Sequence, residues 1–433
     1  MNKVHFDTLQ ETLYNEKLAN GLDVYILPKR GFSKTFVTFT TKYGSIDRTF
    51  IPNGKEEEVT VPDGIAHFLE HKMFEKEEGD VFQKFSVLGG SANAFTSSTR
   101  TAYLFSATDK LYENTEVLLD FVQEPYFTEE TVEKEKGIIA QEITMYDDQP
   151  DWRLYFGAIQ NMFHEHPVKI DIAGTVESID DITAEHLYEC YDTFYHPSNM
   201  VLFVVGAVDP EEMMTFIKNN QDEKTFKEPE EIVRSFPEEP TTAAIKEETL
   251  AMDVTKPKLS FGMKCTKTDV EGEKMLLQEL ASDLVLDILF GRSSEFYTAA
   301  YKNGIIDESY SYAFSLEKGF GFALIISDTE DPKALETAIR KTVQGQANSW
   351  SITDDELDRL RKRKIGQFMR SLNSIEFIAN QFTRYSFNGM NLFDIVPTLE
   401  KMTLANLKEA FDAFSDDKGH TTFTVVPAEK NAE

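Results

Sequence analysis

Cysteine, tryptophan and histidine are scarce in this chain of 433 residues, which has 2 Cys, 2 Trp and 8 His. Cys190 and Cys265 lie in different halves and lack metal-ligand spacing, which fits two idle thiols in a reducing compartment. Uninterrupted apolar runs fall short of the ~18 residues of a membrane helix, and residues 1–21 lack the pattern of a secretory signal. We therefore expect a cytoplasmic protein with no membrane contact.

Positive charge is also in short supply. Lys and Arg number 44 against 75 Asp and Glu, which gives a formal net charge of −31. Nucleic-acid binding relies on cations that neutralise phosphates, so we expect no nucleic-acid partner. The dense basic run Arg359–Lys364 follows the acidic stretch Asp354–Asp358, and we predict that these charges pair within one solvated helix.

The stretch GIAHFLEHKMFE contains the most informative pattern of the chain. His67 and His71 are four residues apart, so on a helix both rings lie on one face and can bind one metal ion. Glu70 is placed to take a proton from a metal-bound water, whose pKa the metal lowers to about 7. This H-x-x-E-H pattern is the inverzincin signature. The alternative is a helix that carries solvated histidines and a glutamate.

A catalytic zinc site needs three protein ligands and an open position for water. Glu142 is the candidate third ligand, because it lies in the range Thr128–Asp148, whose apolar residues recur with helical spacing. Glu135 precedes it by two turns on the same face. We predict that Glu142 binds the metal and that Glu135 steadies a histidine or the substrate. Two ordinary solvated glutamates are the alternative.

A short strand next to the motif is the candidate substrate contact. The range Ser91–Thr96 follows a Gly-Gly turn and precedes a second predicted strand, Thr101–Ala107. An extended peptide can add to an open sheet edge through its backbone hydrogen bonds, and small side chains let it come close. The predicted substrate-binding residues are Ser91, Ala92, Asn93, Ala94, Phe95 and Thr96. A plain core hairpin is the alternative.

The length suits two domains of about 200 residues each. A charged segment with three prolines, 222–248, has the composition of a linker between an N-terminal domain, 1–221, and a C-terminal domain, 249–433. The order of predicted strands and helices in the first half recurs in the second. We therefore predict the α+β class, with two tandem homologous domains that each pack an antiparallel-rich sheet against several helices.

The second half has no counterpart of the histidine motif. The helix at the equivalent position, KMLLQELASDLVLDIL, contains no histidine, so we expect one metal site per chain. The other closely spaced pair, His164 and His166, is two residues apart. Residues at that spacing point to different helix faces, and Pro167 ends the element, so we do not predict a second metal site there.

Several separated segments resemble the pitrilysin/insulysin family of zinc metallopeptidases, which includes the mitochondrial and bacterial processing peptidases. GIAHFLEHKMF resembles its zinc helix, VEKEKGIIAQEITMYDD its second ligand helix, and LGGSANAFTSSTRTAYLFS its substrate-binding strand pair. HPVKIDIAGTVESIDDIT and FYHPSNMVLFVVG resemble the end of its first domain. The second half is similar mainly in FGRSSEFYTAAYKNGIIDESYSY. The resemblance implies zinc as cofactor, with Glu142 at the ligand position and Glu135 at the supporting position.

The resemblance also implies an assembly. Members of the family that act as one chain enclose the substrate with four such domains, whereas this chain has two, so we expect a dimer. The family's second half supplies Arg and Tyr side chains that stabilise the oxyanion. The stretch Gly319–Asp328 contains neither. A related two-domain subunit is therefore favoured as partner over a second copy.

We expect a zinc-dependent endopeptidase that cuts peptides or extended unfolded segments, with Glu70 as general base. Two alternatives stay open. In one, the chain is a non-catalytic or weakly catalytic peptide-binding subunit of a heterodimeric processing-peptidase-like complex. In the other, it is a zinc hydrolase that does not act on peptides.

Overall fold

The computed structural model describes residues 1–428, and within this range it is an α+β protein, as predicted. The strands are β1 (Asn2–Phe6), β2 (Glu11–Lys17), β3 (Asp23–Pro28), β4 (Thr35–Thr41), β5 (Thr49–Ile51), β6 (Val59–Thr60), β7 (Glu75–Lys76), β8 (Gly79–Asp80), β9 (Ser91–Thr96), β10 (Thr101–Ala107), β11 (Met200–Gly206), β12 (Val233–Arg234), β13 (Glu247–Met252), β14 (Lys258–Lys264), β15 (Ser311–Glu317), β16 (Phe320–Asp328) and β17 (His420–Pro427).

The helices are α1 (Ile65–Met73), α2 (Phe82–Leu88), α3 (Leu111–Gln123), α4 (Glu129–Asp147), α5 (Pro150–Met162), α6 (Val176–Asp180), α7 (Ala184–Phe194), α8 (Pro210–Asp222), α9 (Gly272–Phe290), α10 (Glu295–Lys302), α11 (Pro332–Asn348), α12 (Asp354–Ser371), α13 (Ile375–Phe387), α14 (Ile395–Lys401) and α15 (Leu404–Asp412). None of the helices within residues 1–428 is both long enough and apolar enough to cross a membrane.

The chain divides into two compact units, and each is built from separate stretches of sequence. Unit 1 contains residues 1–143, 170–236 and 369–387, and unit 2 contains 144–169, 237–368 and 388–428. Helix α5 therefore belongs to unit 2 and helix α13 to unit 1. The predicted boundaries divide the chain into two continuous domains, 1–221 and 249–433, and a linker, 222–248. This division stays a prediction.

Unit 1 contains a seven-stranded sheet with the order β1-β2-β3-β11-β4-β10-β9. All neighbouring strands are antiparallel except β11 and β3. Strand β4 is buried along its whole length, because it lies between β11 and β10 inside the sheet. Strand β9 is the edge next to α1 and α2, so the predicted substrate strand lies at a sheet border.

Unit 2 contains a five-stranded sheet with the order β13-β17-β14-β16-β15. This order repeats β3-β11-β4-β10-β9 of unit 1, and β17 is parallel to β13 as β11 is to β3. The strands β1 and β2 are additional in unit 1. Two units with the same strand order and the same single parallel pair confirm the predicted α+β architecture of two similar sheet-and-helix domains.

Candidate metal centre

Helix α1 begins where only glycine fits. Gly64 precedes the helix with φ 87°, and a Cβ atom at this position would lie 2.3 Å from the carbonyl oxygen of Ala173. Glycine tolerates a positive φ and leaves room for close backbone approach. Inside the helix, Phe68 and Leu69 are fully buried in the core of unit 1. His67 and His71 are only half-buried, so their rings are the accessible part of α1.

The structure brings His67, His71 and Glu142 together. One ligand atom from each lies within 4.8 Å of the other two, although α1 and α4 are far apart in sequence. Nε2 of His67 is 3.8 Å from Oε1 of Glu142, and Nε2 of His71 is 3.6 Å from Oε2. Ligands of a tetrahedral zinc ion are roughly 3.3 Å apart, given bonds of about 2.0–2.1 Å. Two imidazole nitrogens and one carboxylate therefore fit zinc after small side-chain movements.

Glu135 contacts the other ring nitrogen of His71. Its Oε1 is 3.1 Å from Nδ1 of His71, which directs Nε2 of the same ring toward Glu142. A carboxylate on the second nitrogen sets the tautomer and the orientation of a ligand histidine. Glu135 thus lies beside a histidine, and its supporting role at a metal stays a prediction.

The charges of the cluster shift its pKa values in opposite directions. Burial and, to a smaller extent, the neighbouring His71 lower the pKa of His67 to about 4. Burial also lowers the pKa of His71, but the hydrogen bond to Glu135 and the nearby carboxylates outweigh it and raise the pKa. Burial raises the pKa of Glu135, yet the contact with His71 brings it below its usual value. The neutral imidazole of His67 is the form that binds a metal.

Glu70 lies on the same helix but outside the ligand group. Its carboxyl is 8% exposed, and burial raises its pKa, while a hydrogen bond from Thr96 opposes that rise. Oγ1 of Thr96 donates this bond to Oε2 of Glu70 over 2.7 Å. The contact joins α1 to the end of β9. It gives Thr96 a definite partner that the spacing of the motif alone did not indicate.

The predicted substrate strand is paired with another strand on one side only. Strand β9 pairs with β10 from Ser91 opposite Ser106 to Thr96 opposite Thr101, and within residues 1–428 no strand pairs with its other side. The odd-numbered Ser91 and Asn93 are exposed, whereas Ala92 and Ala94 pack against the core of unit 1. Phe95 is half-buried under the guanidinium of Arg100.

Two further groups near the centre were missed by sequence reasoning. The hydroxyls of Tyr103 and Tyr195 are 2.8 Å apart in a buried pair, and burial raises both pKa values far above the usual range. Lys72, which follows His71, is fully buried and donates to the carboxylate of Glu75 and the carbonyl of Thr131. The tyrosines carry no sequence signal, whereas a lysine on the buried side of a helix is a weak one.

His164 and His166 lie in a network of hydrogen bonds with the backbone. Nδ1 of His166 accepts a hydrogen bond from the backbone N–H of Val168, and the carboxylate of Glu239 accepts from the backbone N–H groups of residues 164–166. Among residues 1–428, the group of His67, His71 and Glu142 is the one arrangement of three or more His, Cys, Asp or Glu with metal-ligand geometry.

Comparison with known proteins gives a consistent identification. The family model for insulinase, peptidase family M16, matches residues 48–176, and the model for the M16 inactive domain matches residues 181–364. The zinc protease YmfH of Bacillus subtilis, itself uncharacterized, is 54% identical over 424 residues, which cover 98% of this chain and 99% of YmfH.

Solved structures show the same likeness. An M16-like peptidase from Alicyclobacillus acidocaldarius superimposes with a TM-score of 0.93 at 39% identity and covers 96% of this chain and 99% of its own. Pitrilysin shares the fold, with a TM-score of 0.75 at 16% identity over 100% of this chain and 47% of its own. The chain belongs to peptidase family M16, the insulinase and pitrilysin family.

Proposed function

We propose that this chain is a zinc metalloendopeptidase that hydrolyses peptides or extended unfolded segments. The observation that carries the proposal is the approach of His67, His71 and Glu142 to within 4.8 Å, with Glu70 on the same helix. Relatives named as zinc proteases support the assignment. A cytoplasmic location belongs to the proposal, because Cys190 and Cys265 are buried free thiols.

In the proposed mechanism, His67, His71 and Glu142 hold the metal. When bound, zinc polarises the scissile carbonyl and acidifies a water molecule. Glu70 takes the proton of that water during attack and passes it to the leaving amine. Thr96 orients Glu70, and Glu135 orients His71.

We propose that the substrate adds as a strand to β9. The free side of β9 offers backbone groups to an extended chain, and Ser91 and Asn93 are exposed along it. The strand ends at Thr96, which contacts the proposed base. A peptide on this edge would therefore run past Glu70.

The first test is Glu70→Gln, which keeps the shape of the side chain and removes the base. We expect about one zinc per chain in both proteins and a loss of peptide cleavage of about 10²–10⁴-fold in the variant. Glu130→Gln is the matched control, because Glu130 is exposed at the start of α4 and should cleave at the wild-type rate. Equal cleavage by wild type and Glu70→Gln would remove Glu70 from the mechanism.

A peptide-binding subunit that cuts weakly by itself is the second candidate. Its support is the stretch Gly319–Asp328, which lacks the Arg and Tyr that the family uses at the oxyanion, and the coverage of only 47% of pitrilysin. We propose a dimer in which a related two-domain chain supplies these groups. One oxyanion donor is worth about 10²–10³ in rate, so adding the partner should raise turnover by at least that factor. A monomer with full, concentration-independent turnover contradicts this assembly.

A further inference from the structure

Unit 2 contains a cavity far in sequence from the metal motif. It has a volume of about 630 Å³ and is lined by residues of α9, α10, α11 and α12. This volume lies within the range of small-molecule sites. Leu289, Phe296 and Ile352 form its apolar lining, and each is buried. The cavity can therefore take the apolar body of a small organic molecule.

Two cations line the same cavity without being neutralised. Lys341 on α11 and Arg359 on α12 are exposed, and within residues 1–428 neither forms an ion pair or a hydrogen bond. Their neighbours behave differently: Arg340 pairs with Glu336, and Lys362 pairs with Asp358. In a chain of net charge −31, two unpaired cations at one cavity mark a local preference for an anion.

A buried amide adds a hydrogen-bond donor. Gln346 lines the cavity and is 6% exposed; its Oε1 accepts from Ser351, but its Nε2 has no partner. A buried donor that lacks a partner destabilises the fold, and an oxygen atom of a ligand would satisfy it.

The two glutamates that line the cavity indicate where the anionic group of a ligand would lie. The carboxylate of Glu356 already accepts hydrogen bonds from the backbone N–H and the hydroxyl of Thr353. Glu295 is exposed on α10. The anionic group of a ligand should therefore lie on the α11–α12 side, away from Glu295.

We propose that this cavity binds a small organic carboxylate with an apolar body. Lys341, Arg359 and the amide of Gln346 bind the carboxylate, and Leu289, Phe296 and Ile352 contact the apolar part. An aliphatic acid and the carboxyl end of a short peptide share this chemistry. No residue of the metal centre takes part, and binding of the acid does not depend on hydrolysis.

Calorimetric titration of the purified full chain tests the proposal. The probes are decanoate and N-acetyl-leucyl-leucine, each compared with its neutral counterpart, decanol and the dipeptide amide. We expect at least one acid to bind and its neutral counterpart to bind at least roughly tenfold more weakly, because charge-assisted hydrogen bonds are stronger than neutral ones. Preference for decanoate identifies an aliphatic acid, and preference for the dipeptide identifies a peptide terminus.

Two double variants separate the cavity from general charge. K341Q with R359Q should weaken the acid about tenfold or more, whereas K274Q with K302Q, which removes the same charge from two exposed lysines outside the cavity, should change affinity by less than about twofold. Ala338→Phe, which fills the cavity, should abolish binding. His71→Ala should leave the affinity unchanged, which separates this site from carboxylate binding at a metal.

Three results would overturn the proposal. The first is the absence of binding of either acid at about 1 mM, a concentration that detects even weak sites. The second is equal affinity for an acid and its neutral counterpart. The third is wild-type affinity in the K341Q and R359Q double variant.

Discussion

Units 1 and 2 use the same pair of helices in different ways. In unit 1, α1 and α4 face each other with two histidines and two glutamates. In unit 2, the counterparts α9 and α12 are joined directly: Asp283 pairs with Lys364 at 2.8 Å, and Asp287 pairs with Arg363 at 2.7 Å. Asp283 and Asp287 are four residues apart, as His67 and His71 are. One helix pair therefore leaves space for a cation, and the other supplies cations of its own.

The edge strands of the two sheets, β9 and β15, make similar contacts with the helices α1 and α9. Tyr312 on β15 donates its hydroxyl to Asp287 of α9 at 2.5 Å, as Thr96 on β9 donates to Glu70 of α1 at 2.7 Å. Strand β15 has the position in its sheet that β9 has in unit 1. A hydrogen bond from a hydroxyl of the edge strand to a carboxylate of the helix is thus common to both units. The candidate metal-ligand group is what distinguishes unit 1.

The largest expected effect comes from breaking the ligand group. His71→Ala should reduce bound zinc from about one per chain to near zero, because two ligands do not make a stable site. Asp287→Ala is the counterpart in unit 2 and should keep full zinc. Elemental analysis after dialysis measures both. Full zinc in His71→Ala would show that the metal binds elsewhere.

The starts of the two helices offer the next comparison. Gly64 before α1 and Gly272 at the start of α9 both have positive φ, but a Cβ on Gly64 would meet backbone at 2.3 Å, whereas one on Gly272 has nothing nearer than 3.4 Å. Gly64→Ala should lower the free energy of unfolding by about 3–4 kcal/mol, and Gly272→Ala by about 1 kcal/mol. Urea denaturation measures both. Equal losses would show that the contact with residue 173 relaxes freely.

Protonation of His166 should make the stability of unit 2 depend on pH. Burial lowers the pKa of His166 in unit 2 to about 4, from an ordinary value of 6.5. The unfolded chain therefore takes up this proton first, so the folded state loses up to about 3 kcal/mol as the pH falls from 6.5 to 4. His166→Asn removes the titration and keeps an acceptor for Val168. Urea denaturation across this pH range should show a shallower loss in the variant, and parallel curves would contradict the assignment.

Breaking the ion pair between α9 and α12 in unit 2 should lower the free energy of unfolding by a smaller amount. Lys364→Met leaves Asp283 without its partner and should cost about 2 kcal/mol, since both groups are only partly buried. Lys362→Met, on the same helix, breaks the exposed pair with Asp358 and should cost less than about 0.5 kcal/mol. Zinc content should stay unchanged in both. A loss of zinc in Lys364→Met would link this pair to the metal centre.

The basic run on α12 shows where local reasoning was incomplete. Lys362 pairs with Asp358 within the helix, as predicted, but Arg363 and Lys364 pair with α9. The predicted solvated face is therefore wrong for these two residues. Spacing along a helix tells which side chains share a face, yet it does not reveal which neighbouring helix that face meets.

Sequence alone determined the features that depend on local period. Strands β9 and β10 have the predicted bounds, and His67 and His71 lie on one face of α1, as their helical spacing indicated. Tertiary structure alone decided the contacts of distant segments: Glu142 with the two histidines, Thr96 with Glu70, the pair Tyr103 and Tyr195, and the membership of α5 in unit 2. The reason is physical, because backbone geometry sets a residue's face within a few positions, whereas a partner far along the chain is selected only when whole elements pack.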